Sequence, residues 1–386
     1  MSNKIKTICF VTGSRSDYDL LYHLIYEAKK SKKIISKLIV TGSHFDKRFG
    51  FTYKNIIKDK LKIDNKIKLN FTNFDPVNIS KYVSENLSKV SSELNKIKPD
   101  FVIILGDRYE ILSVAISCLI LNIPLAHIFG GEVTHGSIDD SIRHSITKMA
   151  DYHFVSTNLY KKRVIQLGER PKTVFNVGGL YVDNVKNTKI LPKEIIEKKL
   201  KFKFLKKNYL VTFHPETNSI ENTIKNLNFL LKCLSKIKDA LIIITYPNAD
   251  THNDKFKYLI NNFEKNNKNC IKFKNLGRLK YISILSYVDC IIGNSSSGIL
   301  EAPTLGIPTI NLGNRQTGRV SAKSIINCSY NENFFFKSLI KIKTKSFKKN
   351  MKVMTNPYGN GNSAKKIFKI ICNIKTKNKL KKFYDL

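Results

Sequence analysis

The 386-residue chain contains no tryptophan, and only 30 acidic residues stand against 67 basic ones, so its formal net charge is +37. Arginine is scarce as well: only Arg15, Arg48, Arg108, Arg143, Arg163, Arg170, Arg278, Arg315 and Arg319, every other basic residue being lysine. A positive field of this size attracts polyanions, which raises nucleic acid and anionic membranes as partners. The lysines, however, run through nearly every segment, as in 196–207 and 337–352, and form no single stripe. That is the pattern of a solvated surface, so no nucleic acid and no membrane partner is expected. What the charge does allow is weak steering of a small anionic substrate.

The seven cysteines include no C-x-x-C pair, and Cys9, Cys118 and Cys290 lie inside apolar runs. They read as small core residues in a reducing compartment, and structural zinc is not expected. No apolar run is long enough to span a bilayer: the longest, Ile111 to Ile123, is broken by Ser113, Ser117 and Asn122. Ile8–Val11 is too short for the core of a signal peptide. A soluble, cytoplasmic chain is the expectation. P-loop, H-E-x-x-H and G-x-S-x-G motifs are all missing, and Gly359-Asn-Gly361 follows no strand, which makes it a loop before a final helix.

What is present is an ordinary globular composition, 42% apolar and 25% charged, at a length suited to two domains of about 150–200 residues. Short apolar runs alternate with amphipathic stretches. Strands are expected at Ile5–Val11, Lys37–Val40, Phe101–Leu105, Leu125–Ile128 and His153–Val155. Helices are expected between them at Asp17–Ser31, Pro76–Ile97 and Asp107–Leu121. The rhythm repeats with strands near Tyr209–Phe213, Ala240–Thr245, Cys290–Ile292 and Thr309–Leu312, and helices at Glu221–Ile237, Phe256–Asn266 and Ser297–Leu305. This predicts an α/β fold of two doubly wound halves with parallel sheets. The domains are 1–185 and 186–386, with the lysine-rich stretch 186–207 as the linker.

In such sheets ligands bind beyond the carboxyl ends of the strands. Those ends read Thr12-Gly-Ser-Arg15, Gly106-Asp107-Arg108, Gly130-Gly131-Glu132, His214-Pro215-Glu216 and Gly293-Asn294-Ser295-Ser296-Ser297-Gly298. The last runs from a buried strand into a helix start, where free N–H groups and hydroxyls suit a phosphate. Glu301, about one turn inside that helix, can accept both hydroxyls of a ribose; a capping-box acid is the alternative. Asp107 is either an N-cap or an active-site acid. Asp139 and Arg143 lie four apart on one helix face, either as a plain ion pair or as an active-site carboxylate held by its arginine. Carboxylates converging on one site repel each other, which suits acid–base chemistry near neutral pH. His214, followed by proline, is placed to donate to a diphosphate. Arg315 and Arg319 suggest planar, two-pronged contacts in a chain that otherwise uses lysine.

The strings TGSRSDY, LGDRYE, HIFGGE, IDDSIRHSITKMADYHFVST, YKKRVIQLGE, FHPET, IGNSSSGILEAP, INLGNRQTGR and NPYGNG, in this order, resemble the UDP-N-acetylglucosamine 2-epimerase family. Within it they are similar to the hydrolysing branch that serves sialic and other nonulosonic acid synthesis. The resemblance implies a GT-B architecture, two Rossmann-like domains around a cleft, with the last helix crossing back to the first domain. It implies loss of UDP from C1 as the C2 proton leaves, then hydration of the 2-acetamidoglycal, with no cofactor and no metal. It also implies Asp107, Glu132 and Asp139 as catalytic carboxylates with Arg143 alongside. Arg15, Arg108, His214, Asn294, Ser295, Ser296, Glu301 and Arg315 would contact UDP. UDP-N-acetylglucosamine is the first substrate expected and UDP-N,N′-diacetylbacillosamine, of the legionaminic acid pathway, the alternative. A homodimer or tetramer is expected by the same resemblance. A glycosyltransferase of the same fold is the competing reading, for which no acceptor feature is found.

Overall fold

Every residue of the strand Phe101–Leu105 is buried, as a parallel strand covered by helices on both faces requires. In the computed structural model, which describes residues 5–70, 75–134, 138–215, 220–246, 253–274, 276–374 and 381–386, this strand is the fourth of a seven-stranded sheet. The sheet comprises β1 Lys6–Thr12, β2 Ile34–Val40, β3 Asn65–Lys66, β4 Phe101–Leu105, β5 Leu125–Ile128, β6 Tyr152–Val155 and β7 Val174–Asn176. Their order is β3-β2-β1-β4-β5-β6-β7, and every pairing is parallel. A second sheet holds β8 Asn208–Thr212, β9 Leu241–Thr245, β10 Cys270–Phe273, β11 Cys290–Gly293, β12 Thr309–Leu312 and β13 Ile325–Cys328. It is again all parallel, in the order β10-β9-β8-β11-β12-β13. The doubly wound α/β class is therefore seen twice.

The chain divides into two units. The first takes Met1–Val133, Ile138–Asn184 and Tyr358–Leu386; the second is principally Val185–Pro357. The helix Ser363–Asn373 belongs to the first unit and packs against the helix Arg15–Lys30. The segment 186–207, read from sequence as a linker, instead contains the helix Lys193–Leu200, and its Ile196 and Phe204 are buried in the core of the second unit. Lysine on the exposed face hid that periodicity.

Local chemistry accounts for several boundaries. The long helix Pro76–Ile97 opens with Asp75 accepting from Asn78 N at 3.0 Å and proline at its first position, where a missing N–H costs nothing. Helix Arg15–Lys30 is capped by Ser14. The strands β3 and β7, at the edges of the first sheet, are only two and three residues long, and β10 and β13, at the edges of the second, are interrupted by Lys272 and Asn327, so none registers as a run. Strand order reverses between β1 and β4 in one sheet and between β8 and β11 in the other, and ligands bind beyond the strand ends at such reversals. Among the described residues no helix is long and apolar enough to cross a membrane.

Candidate active site

In the first unit the chain leaves β4 through Gly106, whose φ of +88° favours glycine, and reaches Asp107. Asp107 is not the helix cap. That position falls to Arg108, which makes no side-chain cap bond. The Asp107 carboxylate instead accepts from Arg143, with Nε at 2.9 Å from Oδ2 and Nη2 on the same oxygen. The opposite prong of Arg143, Nη1, donates to Asp140 Oδ1 at 2.8 Å and to the backbone carbonyl of Glu132 at 2.8 Å. The Arg143 side chain is 3% exposed, whereas Asp107 and Asp140 are 27% and 28% exposed. One buried guanidinium thus gathers groups from three segments, a task that suits its planar fork. Burial opposes its charge, but Asp107, Glu132 and Asp140 outweigh that and raise its pKa further. The carboxylate it grips on its own helix is Asp140, three residues back, while Asp139 stands half-buried beside it in the first turn.

Glu132, 5% exposed, sits on a tightly constrained loop after β5. Phe129 holds a φ of +73°, a conformation that costs a non-glycine residue roughly 1–2 kcal/mol, and packs on the Tyr181 ring at 5.2 Å. A side chain on Gly131 would lie 2.4 Å from the carbonyl of Tyr160. Behind Asp107 stands His127, fully buried, whose Nε2 meets the Gly106 carbonyl at 2.8 Å and whose Nδ1 meets Thr147 Oγ1 at 3.1 Å. A carbonyl only accepts, so Nε2 carries a proton. Burial pushes its pKa down to about 3, against the help of Gly106. His127 braces the loop that carries Asp107, although its place inside an apolar strand drew no functional reading.

Asp17 was also missed. An acid in the first turn of a helix reads as dipole compensation, yet Asp17 is 6% exposed, and its Oδ2 has no hydrogen-bond partner among the described residues. Burial pushes its carboxyl up to about 7; Arg108 opposes this, and Glu110 and Asp107 add to it. Arg108 itself donates from Nε to Glu110 Oε2 at 3.1 Å and lies over the Tyr109 ring at 5.4 Å. Arg15, half-buried, opens the helix that holds Asp17.

In the second unit the corresponding strand reversal carries His214 after β8 and Asn294 after β11. The two clamp each other: His214 N donates to Asn294 Oδ1 at 2.7 Å, and Asn294 Nδ2 donates to the His214 carbonyl at 2.9 Å. Asn294 is fully buried, and its own carbonyl accepts from Arg315 Nη1 at 3.1 Å and Gln316 Nε2 at 2.8 Å. Gly293 makes this possible. Its φ is +134°, and a Cβ there would stand 2.1 Å from the carbonyl of Thr212. Burial first, then Arg315, pushes His214 down to about 3, so it is a neutral imidazole at pH 7. Its Nδ1 has no hydrogen-bond partner among the described residues.

Ser295 caps the following helix, accepting from Ser297 N at 3.4 Å, and Tyr281 OH donates to Ser297 Oγ at 2.7 Å. The helix is shorter than expected. It spans Ser296–Leu300, ends at Glu301, and gives way to a 3₁₀ turn at Ala302–Leu305, because Pro303 lacks the N–H that would continue it. Glu301 is therefore at a junction and not one turn inside a helix. Five residues make only a small macrodipole. Gln316 and Tyr281 join this constellation without having been singled out in the sequence. Glu216, present in the quoted motifs, lies outside the described residues.

The family model described as UDP-N-acetylglucosamine 2-epimerase matches residues 26–372. The chain belongs to this family. A relative from Campylobacter jejuni, named GDP/UDP-N,N′-diacetylbacillosamine 2-epimerase (hydrolyzing), is 43% identical over 346 residues, covering 89% of each chain. The polysialic acid biosynthesis protein P7 of Escherichia coli is 37% identical over 389 residues, covering 99% of this chain and 98% of that one. Among solved structures, the UDP-GlcNAc 2-epimerase of Neisseria meningitidis bound to UDP-GlcNAc superposes with a TM-score of 0.79 at 20% identity, covering 95% of this chain and 99% of that one. At that identity the likeness carries the fold alone. As a member of the 2-epimerase family the chain is an enzyme, and its hydrolysing resemblance is shared with the Campylobacter relative.

Proposed function

We propose that this epimerase hydrolyses a UDP-linked 2-acetamido sugar with inversion at C2. A base removes the C2 proton as the C1–O bond to UDP breaks, leaving a 2-acetamidoglycal. Water then adds its oxygen to C1, and a proton returns to C2 from the opposite face. The products are UDP and the free 2-epimeric sugar. The observation that carries this reading is the Arg143 clamp, which holds Asp107 and Asp140 and fixes the Glu132 loop at a strand reversal. Asp107, Glu132 and Asp139 supply the proton transfers and steady positive charge at C1. Arg15, Arg108, His214, Asn294, Ser295, Ser296, Glu301 and Arg315 hold UDP. His214, being neutral, donates one hydrogen bond to the diphosphate, and Arg315 supplies charge.

For the sugar, we favour the 2,4-diacetamido substrate, UDP-N,N′-diacetylbacillosamine, because the 43%-identical relative carries that name. UDP-N-acetylglucosamine, expected first from sequence, is the second reading and matches the description of the family model. Incubating the protein with each nucleotide sugar in deuterated water tests both. The expected result is UDP plus a free sugar inverted and deuterated at C2. Intact epimerised UDP-sugar, or no turnover of either, overturns the reading, and the faster substrate names the branch.

A further inference from the structure

The helix Ile138–Met149 carries Asp139, Asp140 and Arg143 at its start, and its other end is held by a residue more than 230 positions later in the chain. Lys381 Nζ donates to the carbonyls of Lys148 at 2.6 Å and Ala150 at 2.6 Å, with that of Thr147 at 3.4 Å. These are the carbonyls that a helix terminus leaves without intrahelical partners, and they bear the negative end of its dipole. The same ammonium lies 2.8 Å from Glu169 Oε2. Glu169, 2% exposed, also meets Lys148 Nζ at 2.8 Å and the fully buried His153 Nε2 at 2.9 Å. The segment around Lys381 is anchored twice more. Tyr384 N donates to the Gly168 carbonyl at 3.0 Å, and the Phe383 ring lies so close over Gly168 that a Cβ there would stand 2.3 Å from it. Lys148 Nζ sits 4.9 Å over the same ring.

A surface cap would need one hydrogen bond and a solvated lysine. Here one ammonium collects neighbouring carbonyls and a buried carboxylate, which fixes the helix along its axis against β6 and the turn at Gly168. Thr147 also ties the helix to His127, and through it to the Gly106 carbonyl beside Asp107. An axial shift of the helix end therefore moves Arg143 against Asp107. We infer that Lys381 is a positioning residue for the epimerase reaction, setting the register of the helix that presents Asp139, Asp140 and Arg143. The inference rests on the function proposed above, since it takes those groups as the reacting ones.

The test compares Lys381→Met, Lys381→Arg and Phe383→Ala with the parent full-length protein on the better of the two UDP-sugars. Lys381→Met is expected to lower kcat about tenfold or more at 25 °C with KM within twofold, since small displacements of catalytic groups carry penalties of up to about 100-fold. Lys381→Arg, which keeps charge and donors, is expected to stay within about threefold of the parent. Hydrogen exchange of the amides of 141–150 is expected to quicken in Lys381→Met and Phe383→Ala and not in Lys381→Arg. If Lys381→Met lowers the melting temperature but keeps kcat within twofold, the lysine is only a staple and the inference falls. If Lys381→Met does not fold, Phe383→Ala decides: kcat unchanged while the amides quicken overturns the inference. If the parent turns over neither sugar, the proposed function has failed, and the exchange measurement still reports whether Lys381 holds the helix.

Discussion

Asp17 offers the sharpest quantitative prediction. Its carboxyl is 6% exposed and pushed by burial from the usual 3.8 up to about 7. The folded protein therefore keeps a proton here that the unfolded chain has already released. Between about pH 4 and pH 7 the native state binds more protons than the unfolded state, so stability falls as pH rises through that window and levels off above it. A shift of about three pH units at about 1.4 kcal/mol each sets the size of the loss at about 4 kcal/mol. Asparagine imitates the neutral acid in shape and polarity but cannot ionise. Asp17→Asn is thus expected to exceed the parent by about 2 kcal/mol at pH 5 and by about 4 kcal/mol at pH 8, a gap that widens as pH rises. Asp151 and Asp183, also raised by burial, act in the same direction but are common to both proteins and cancel in the difference. Denaturant unfolding of both proteins at pH 5, 6, 7 and 8 reads the effect. Parallel curves with a constant offset would show that Asp17 is ionised in the native state at neutral pH and would refute the reasoning.

Three further outcomes are expected. Arg143→Lys keeps the charge but loses the fork; removing two charge-assisted bonds at about 1.5 kcal/mol each predicts a fall in kcat/KM of about 100-fold, and a loss under threefold in steady-state assays would contradict the clamp. His214→Gln should raise KM for the UDP-sugar about tenfold, with no change in its pH dependence between pH 6 and 8, because the parent imidazole is already neutral there; a pH-dependent difference in KM would show a charged histidine. Gly293→Ala combines a left-handed φ with a contact of 2.1 Å to the Thr212 carbonyl and should cost about 3 kcal/mol or more, read as a lowered denaturation midpoint; an unchanged midpoint would mean that the β11 turn is free to rearrange.

The fold was legible where burial wrote itself into composition. β4, β5 and β12 appear with the very ends read from the sequence, because each buries every residue and is set off by glycine, proline or polar residues at its ends. The short outer strands were invisible for the opposite reason. Asn65–Lys66 pairs through its backbone and offers no side-chain pattern at all. The helix within 186–207 was masked by exposed lysines such as Lys198 and Lys199, which make the stretch read as a charged linker. In the site, glycine-ended strands announced Asp107, Glu132 and Asn294 correctly as strand-end residues. Asp17, His127, Tyr281 and Gln316 were not announced, because each acts through burial or through a partner distant in sequence, and neither is written in a local motif.

The arginines carry the last step. In a chain that solves nearly every other charge problem with lysine, four of the nine guanidinia are placed where flatness matters. Arg143 serves Asp107, Asp140 and the Glu132 carbonyl at once. Arg108 lies over the Tyr109 ring while holding Glu110. Arg315 reaches the carbonyl of Asn294. Arg163, within the string YKKRVIQLGE, donates to the carbonyl of Gly131 at 3.3 Å while lying over the Tyr160 ring at 5.6 Å. The lysine contacts differ in kind. Lys29, Lys203 and Lys236 each pair as point charges with a carboxylate near the surface, where such pairs contribute little. An ammonium has no rigid planar fork to lie on a ring or to hold a carboxylate with two parallel donors, so it does not replace Arg143 or Arg163 at the Glu132 loop. Arg163 thus joins Arg143 in holding the Glu132 loop in shape.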